Sequence, residues 1–171
     1  MKSLLIALGL ALCCLAQVEW EEVTTASDKH LGSWVNVAAA CDSPDALEQI
    51  RHMSAFVAVL SKPREDVFSI LAFVPMPDGC KKVTYQFRKG EDGKYHSHCD
   101  DTTVTVESLK ALGESIMSII KYDDFRTAIL HSRTVTQDPE IIEKFKEECK
   151  RLGYSKDQIV VLNPTVKCQE E

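Results

Sequence analysis

Eight short β-prone runs separated by turn residues occupy the stretch between Gly32 and Arg133, and they constrain the fold more than any other feature. The runs are Trp34–Ala40, Met53–Leu60, Val67–Val74, Lys82–Arg88, Lys94–Cys99, Thr102–Leu109, Ile116–Lys121 and Phe125–Arg133. Turn chemistry divides them at Ser61-Lys62-Pro63, Pro75 to Gly79, Gly90 to Gly93, Leu112-Gly113-Glu114 and Lys121 to Asp124. Strands this close together, joined by tight turns, pair antiparallel in an up-and-down order and leave no room for βαβ crossovers. Lys82–Arg88 alternates cleanly, with Val83, Tyr85 and Phe87 on one face. Met53–Leu60 and Val67–Val74 are apolar on both faces, so something must cover each side of the sheet.

The outer cover is legible. Asp138-Pro139-Glu140 opens a helix with proline in its first turn. Ile141, Ile142, Phe145, Cys149 and Leu152 then recur at three- and four-residue steps, and Gly153 ends the run. An extended tail, Gln158–Leu162, follows and leads to Cys168. Residues 42–52 read as one long, partly helical loop, placed to act as a lid. The expected fold is all-β with one C-terminal helix: an eight-stranded antiparallel up-and-down β-barrel.

The first residues set the expected compartment. Lys2 precedes an apolar run from Leu4 to Leu15, and Cys14-Leu15-Ala16 closes it with small residues where a signal peptidase cuts. Residues 1–16 therefore read as a secretory signal peptide and 17–171 as one secreted, extracellular domain with no stable membrane insertion. A formal net charge of −6 excludes a nucleic-acid binder, which needs a basic face. Cys13 and Cys14 leave with the leader. Cys41, Cys80, Cys99, Cys149 and Cys168 remain, an odd number in an oxidising space. No Cys/His spacing suits a metal, and no cofactor is expected. His96 and His98 lie two apart on one strand face and read as exposed strand residues.

Gly32-Ser33-Trp34 stands at the start of the first strand and Leu130-His131-Ser132-Arg133 at the end of the last. A barrel needs one end plugged; Trp34 can lie across that floor, with Gly32 giving the bend and Arg133 stacking on the indole. These motifs, with eight strands between them and a helix after, resemble the lipocalin family. The ending, from Phe145 through Gly153-Tyr154-Ser155 to Cys168, is similar to that of extracellular fatty-acid-binding, alpha-1-microglobulin and prostaglandin D synthase lipocalins. One motif departs: where the family carries Thr-Asp-Tyr between strands six and seven, this chain has Ala111-Leu112-Gly113. The resemblance implies a disulfide between Cys80 and Cys168, worth about 4 kcal/mol in the chain-entropy picture.

The family likeness further implies a carrier, not an enzyme, that holds a small hydrophobic ligand such as a fatty acid, lysolipid, retinoid or odorant in a calyx. The wall residues expected from alternation are Val83, Tyr85 and Phe87 on the fourth strand, then Phe56, Ala58, Phe68, Ile70 and Ala72 on its neighbours. Met117, Ile119, Thr127 and Ile129 complete the set on the last two strands. Lys121 and His131 end inward rows, and Tyr85 and Tyr95 offer hydroxyls to a head group. Burying ten methylenes yields about 8 kcal/mol, which corresponds to roughly micromolar affinity.

Cys149 falls on the helix stripe as a buried structural thiol. Cys41 stands where the first strand enters the lid, near the position of an exposed reactive thiol in alpha-1-microglobulin-like lipocalins. A Cys41–Cys99 bridge, a free Cys41 and a disulfide-linked partner or dimer are all open at this point. A thiol-dependent enzyme or reductase using Cys41 is the alternative to the carrier. Two features count against it: Asp42 and Asp45 raise a nearby thiol's pKa, and Met53-Ser54 stands where the synthase carries its nucleophilic cysteine.

Overall fold

A computed structural model describes residues 19–24, 26–99 and 101–168; the expected leader at 1–16 lies outside them. The chain forms strands β1 (Glu21–Glu22) and β2 (Gly32–Cys41), helix α1 (Pro44–Arg51), and strands β3 (Phe56–Arg64), β4 (Val67–Met76), β5 (Gly79–Lys89) and β6 (Tyr95–Cys99). Strands β7 (Thr102–Leu112), β8 (Ser115–Lys121) and β9 (Arg126–Ser132), helix α2 (Pro139–Arg151) and strand β10 (Ile159–Val161) complete it. Strands β2 to β9 pair antiparallel with their sequence neighbours; β2 meets β9, and β7–β8 pairing completes the ring. The result is a closed eight-stranded antiparallel barrel with two helices. Short β1 pairs with β7, and β10 pairs with β2.

Local differences from the sequence reading have physical causes. The β3–β4 turn is Glu65-Asp66, not Ser61-Lys62-Pro63, because the ladder shifts register between Ser61 and Arg64. A proline without an N–H is tolerated at such an irregularity. The expected lid loop contains a real helix, α1: Ser43 caps it by accepting from the Ala46 N–H at 3.3 Å, and Pro44 fills its first turn. The β7–β8 hairpin turns at Gly113 with φ of 58°, where a side chain would be strained.

Helix α2 forms as its pattern requires. Asp138 caps it by accepting from the Glu140 N–H at 2.9 Å, and its apolar stripe lies against the outside of β2, β8 and β9. Phe145 and Cys149 pack there with Met117, Ile119, Ala128, Leu130, Val37, Ala38 and Ala40. A bulge in β2 between Asn36 and Ala38 frees the Val37 carbonyl, which accepts the Leu162 N–H of the tail at 2.9 Å. The tail ends in the Cys80–Cys168 disulfide, closing a sequence separation of 88 residues. Cys41, Cys99 and Cys149 are free thiols, so Cys41 and Cys99 do not bridge.

Candidate functional site

The barrel's closed end is fixed first. Gly32, at φ of 91°, turns the chain into β2. The Trp34 indole then crosses the floor and donates to the His30 carbonyl at 2.8 Å. The Arg133 guanidinium lies 3.6 Å from the indole ring centre. It also donates to the carbonyls of Ser33, Lys29 and Leu31 at 2.8, 2.6 and 3.0 Å. One cation thereby ties the last strand to the segment that enters the first. Gly32, Trp34 and Arg133 occupy the roles read from the sequence.

Above this floor lies a cavity of about 100 Å³. Of the expected wall residues, Ala58, Phe68, Ile70, Phe87 and His131 line it, and Tyr95, expected only as a hydroxyl handle, lines it too. Tyr85 and Ile129 pack on the same interior cluster as Phe68 and Phe87. Phe56, Ala72, Val83 and Thr127 share the inner face through their cross-strand partners Asn36, Ala58 and Ile120, but sit beyond the cavity. The volume suits a compact ligand, since one water takes roughly 10–15 Å³ on such a scale.

Strand β8 corrects the expected parity. Ile116, Ser118 and Ile120 face the cavity, whereas Met117 and Ile119 lie under α2. Lys121 continues that outer row and is exposed, so it offers no inward handle. Every β8 residue from Ser115 to Ile120 is buried, which erases the contrast that alternation relies on. The register of the β8–β9 hairpin carried the answer, because Ile116 pairs with His131 and Ser118 with Ile129. Leu60, Val106 and Leu109 also line the cavity, as do Val23, Ala26 and His30 from the segment before β2. That segment closes the floor only in three dimensions and carries no periodic signal.

Among the described residues the lining holds no Lys, Arg, Asp or Glu. His131 pairs with the Ser118 hydroxyl at 2.7 Å, and burial pushes its pKa down to about 4, so the ring is neutral. His30 is held below its ordinary value by burial, then by the nearby charges of Lys29 and Arg133. Toward the other end, Tyr122 stacks on Phe125 at 4.5 Å. Its phenol is pushed up to about 12, first by burial and then by Tyr85 and Cys41. Cys41 ends β2 opposite Thr127 and is buried, not exposed. Burial raises its pKa; a Ser43 backbone hydrogen bond opposes this and Asp42 adds to it. Outside the barrel, His96 contacts Asp92 at 2.9 Å and Thr105 at 2.8 Å, and His98 contacts Thr103 at 3.2 Å. Among the described residues no group of three or more His, Cys, Asp or Glu converges as a metal site.

Comparison with known proteins places this geometry. A family model described as the lipocalin / cytosolic fatty-acid binding protein family matches residues 31–166. The chain is 27% identical over 173 residues to an extracellular fatty acid-binding protein of Gallus gallus, covering 98% of this chain and 97% of that one. It is 28% identical over 164 residues to a prostaglandin-H2 D-isomerase of Equus caballus, covering 84% of this chain and 80% of that one. Among solved structures it resembles the siderocalin Ex-FABP, with a TM-score of 0.70 at 21% identity, covering 84% of this chain and 99% of that one. At that identity the likeness concerns the fold.

Proposed function

Because the chain belongs to the lipocalin family, whose members bind small hydrophobic ligands, we propose that it is a secreted carrier holding such a ligand inside the barrel without catalysis. The observation that carries this reading is the interior cavity, apolar almost throughout and walled by inward side chains of the barrel strands and the segment before β2. Burial of apolar ligand surface supplies the affinity, and a few neutral polar points orient the guest. Export is supported by the leader-like N-terminus, by the Cys80–Cys168 disulfide and by relatives described as extracellular.

Trp34 lines the cavity and reports on its contents. In a Trp20→Phe background, leaving one indole, titration with small apolar molecules is expected to change Trp34 fluorescence saturably. Native mass spectrometry of protein from its source should show the bound mass. A fluorescence signal indifferent to every apolar probe, with no bound mass, overturns the carrier reading.

The isomerase relatives give a thiol enzyme its standing as the second reading. By register both Cys41, opposite Thr127, and Cys99, in the inward row of Tyr95, face the barrel interior. The raised pKa of Cys41 leaves little thiolate at neutral pH, and Ser54, buried before β3, stands at the position expected of the synthase nucleophile. Among the described residues, Cys99 is the free thiol that is not buried, so a disulfide-linked dimer would run through it.

A further inference from the structure

We propose that the closed end of the barrel is a polar subsite for the hydroxyl group of a neutral ligand, built from His30, Asn36 and the Ser118–His131 pair. This deepens the carrier reading and rests on it.

His30 supplies a donor. Its Nδ1 accepts the Ser27 N–H at 3.0 Å, and a neutral imidazole that accepts at one nitrogen carries its proton on the other. The proton therefore sits on Nε2. That atom is buried, has no partner among the described residues, and belongs to a cavity-lining residue only 6% exposed. The structural duties of His30 are met elsewhere: Nδ1 holds Ser27, and the carbonyl takes the Trp34 indole. Nε2–H is left over for a guest.

Asn36, beside the lining residue His131 rather than itself in the lining, supplies an acceptor. It shares the inner face of β2 with Trp34 and pairs across the sheet with His131. Its Oδ1 is buried without a partner among the described residues, at 4% residue exposure. Each orphaned group carries a desolvation cost that a matching ligand group relieves. A hydroxyl both donates and accepts, so it can serve either orphaned atom, where an alkane serves neither. The Ser118 hydroxyl, already hydrogen-bonded to His131, adds a third polar point on the same floor.

Charge selects against an acid. Among the described residues the lining has no Lys or Arg, and both histidines are neutral because burial disfavours their protonated forms. A carboxylate would lose its hydration with no cationic side chain in the lining to pair with it, since Lys29 and Arg133, whose charges reach His30, lie outside the lining. The cavity of about 100 Å³ is well above the roughly 10–15 Å³ that a single water needs, so a short-chain alcohol can enter it.

The test titrates the protein with 1-hexanol, n-hexane and hexanoate, following Trp34 fluorescence. 1-Hexanol is expected to bind about tenfold more tightly than hexanoate. His30→Leu and, independently, the near-isosteric Asn36→Leu should each weaken 1-hexanol by about five- to tenfold while leaving hexane within about twofold. In the unaltered protein, the His30 Nε2 ¹⁵N resonance should shift with 1-hexanol and not with hexane, a readout free of any folding defect in the variants. If 1-hexanol ignores both substitutions and leaves that resonance in place, the subsite is wrong while the carrier reading stands. Hexanoate binding as tightly as 1-hexanol also overturns it. If none of the three binds, the subsite fails, and the carrier reading fails with it only when no other apolar probe binds and no bound mass is found.

Discussion

The two faces of β8 are built from similar residues and do opposite work. On the outer face, Met117 and Ile119 meet α2 in a layer where Phe145, Cys149 and Ala128 are wholly buried. On the inner face, Ile116, Ser118 and Ile120 surround open space. The outer layer is close-packed like an organic crystal and loses contacts with any deleted atom. The inner layer already tolerates a void. Cohesion therefore rests mainly on the helix-covered side, which leaves the inside free to stay hollow for a guest.

The sharpest way to break this contrast is truncation on each side. Phe145→Ala should cost about 3–5 kcal/mol in denaturant unfolding, the usual cost of emptying a filled aromatic site. Ile70→Ala, on the half-buried cavity wall, should cost about 1–2 kcal/mol and change ligand affinity instead. Equal stability losses would abolish the distinction.

Acid sharpens it next. His131 titrates near 4 in the folded protein against about 6.5 unfolded. The unfolded chain thus takes up the proton first as pH falls, so the contribution is whole above pH 6.5 and is lost between 6.5 and 4. It amounts to about 3 kcal/mol, and His30 shifts in the same direction. Unfolding free energies across that window should fall accordingly, and His131→Gln should flatten the slope. Smaller again, Ser118→Ala removes the hydroxyl paired with His131 and should cost about 1–2 kcal/mol, although it deletes one atom beside an existing void. Ser118→Ala with no stability loss would mean that the inner pair contributes nothing to the floor.

Thiol chemistry gives the mildest readout. Burial, then Glu148, pushes Cys149 up to about 12, and Cys41 is buried and raised on the inner side. Both should resist alkylation at pH 8 in the native protein, while half-buried Cys99 reacts first. Fast modification of Cys41 would revive the enzyme reading.

Where neighbours in sequence decide conformation, the chain was readable. Alternation gave the inward row of Val83, Tyr85 and Phe87, and the proline-led amphipathic run gave α2. Parity failed on β8 because both faces are apolar and both are covered, one by a helix and one by a cavity. The single polar side chain in its middle, Ser118, points inward rather than out, the reverse of what polarity alone suggests. His30 escaped notice because its role depends on a segment folding beneath a barrel formed by residues far along the chain.

What the sequence alone determined was the list of parts: strands, their turns, the capped helix, and the tryptophan and arginine that meet at the floor. Those follow from local backbone preference and periodicity, which act over a few residues. Which face of β8 looks inward, where space is left, and which polar atoms go unpaired were decided only by closure. Burial and hydrogen-bond satisfaction are properties of surfaces brought together across the ring, and no local pattern contains them.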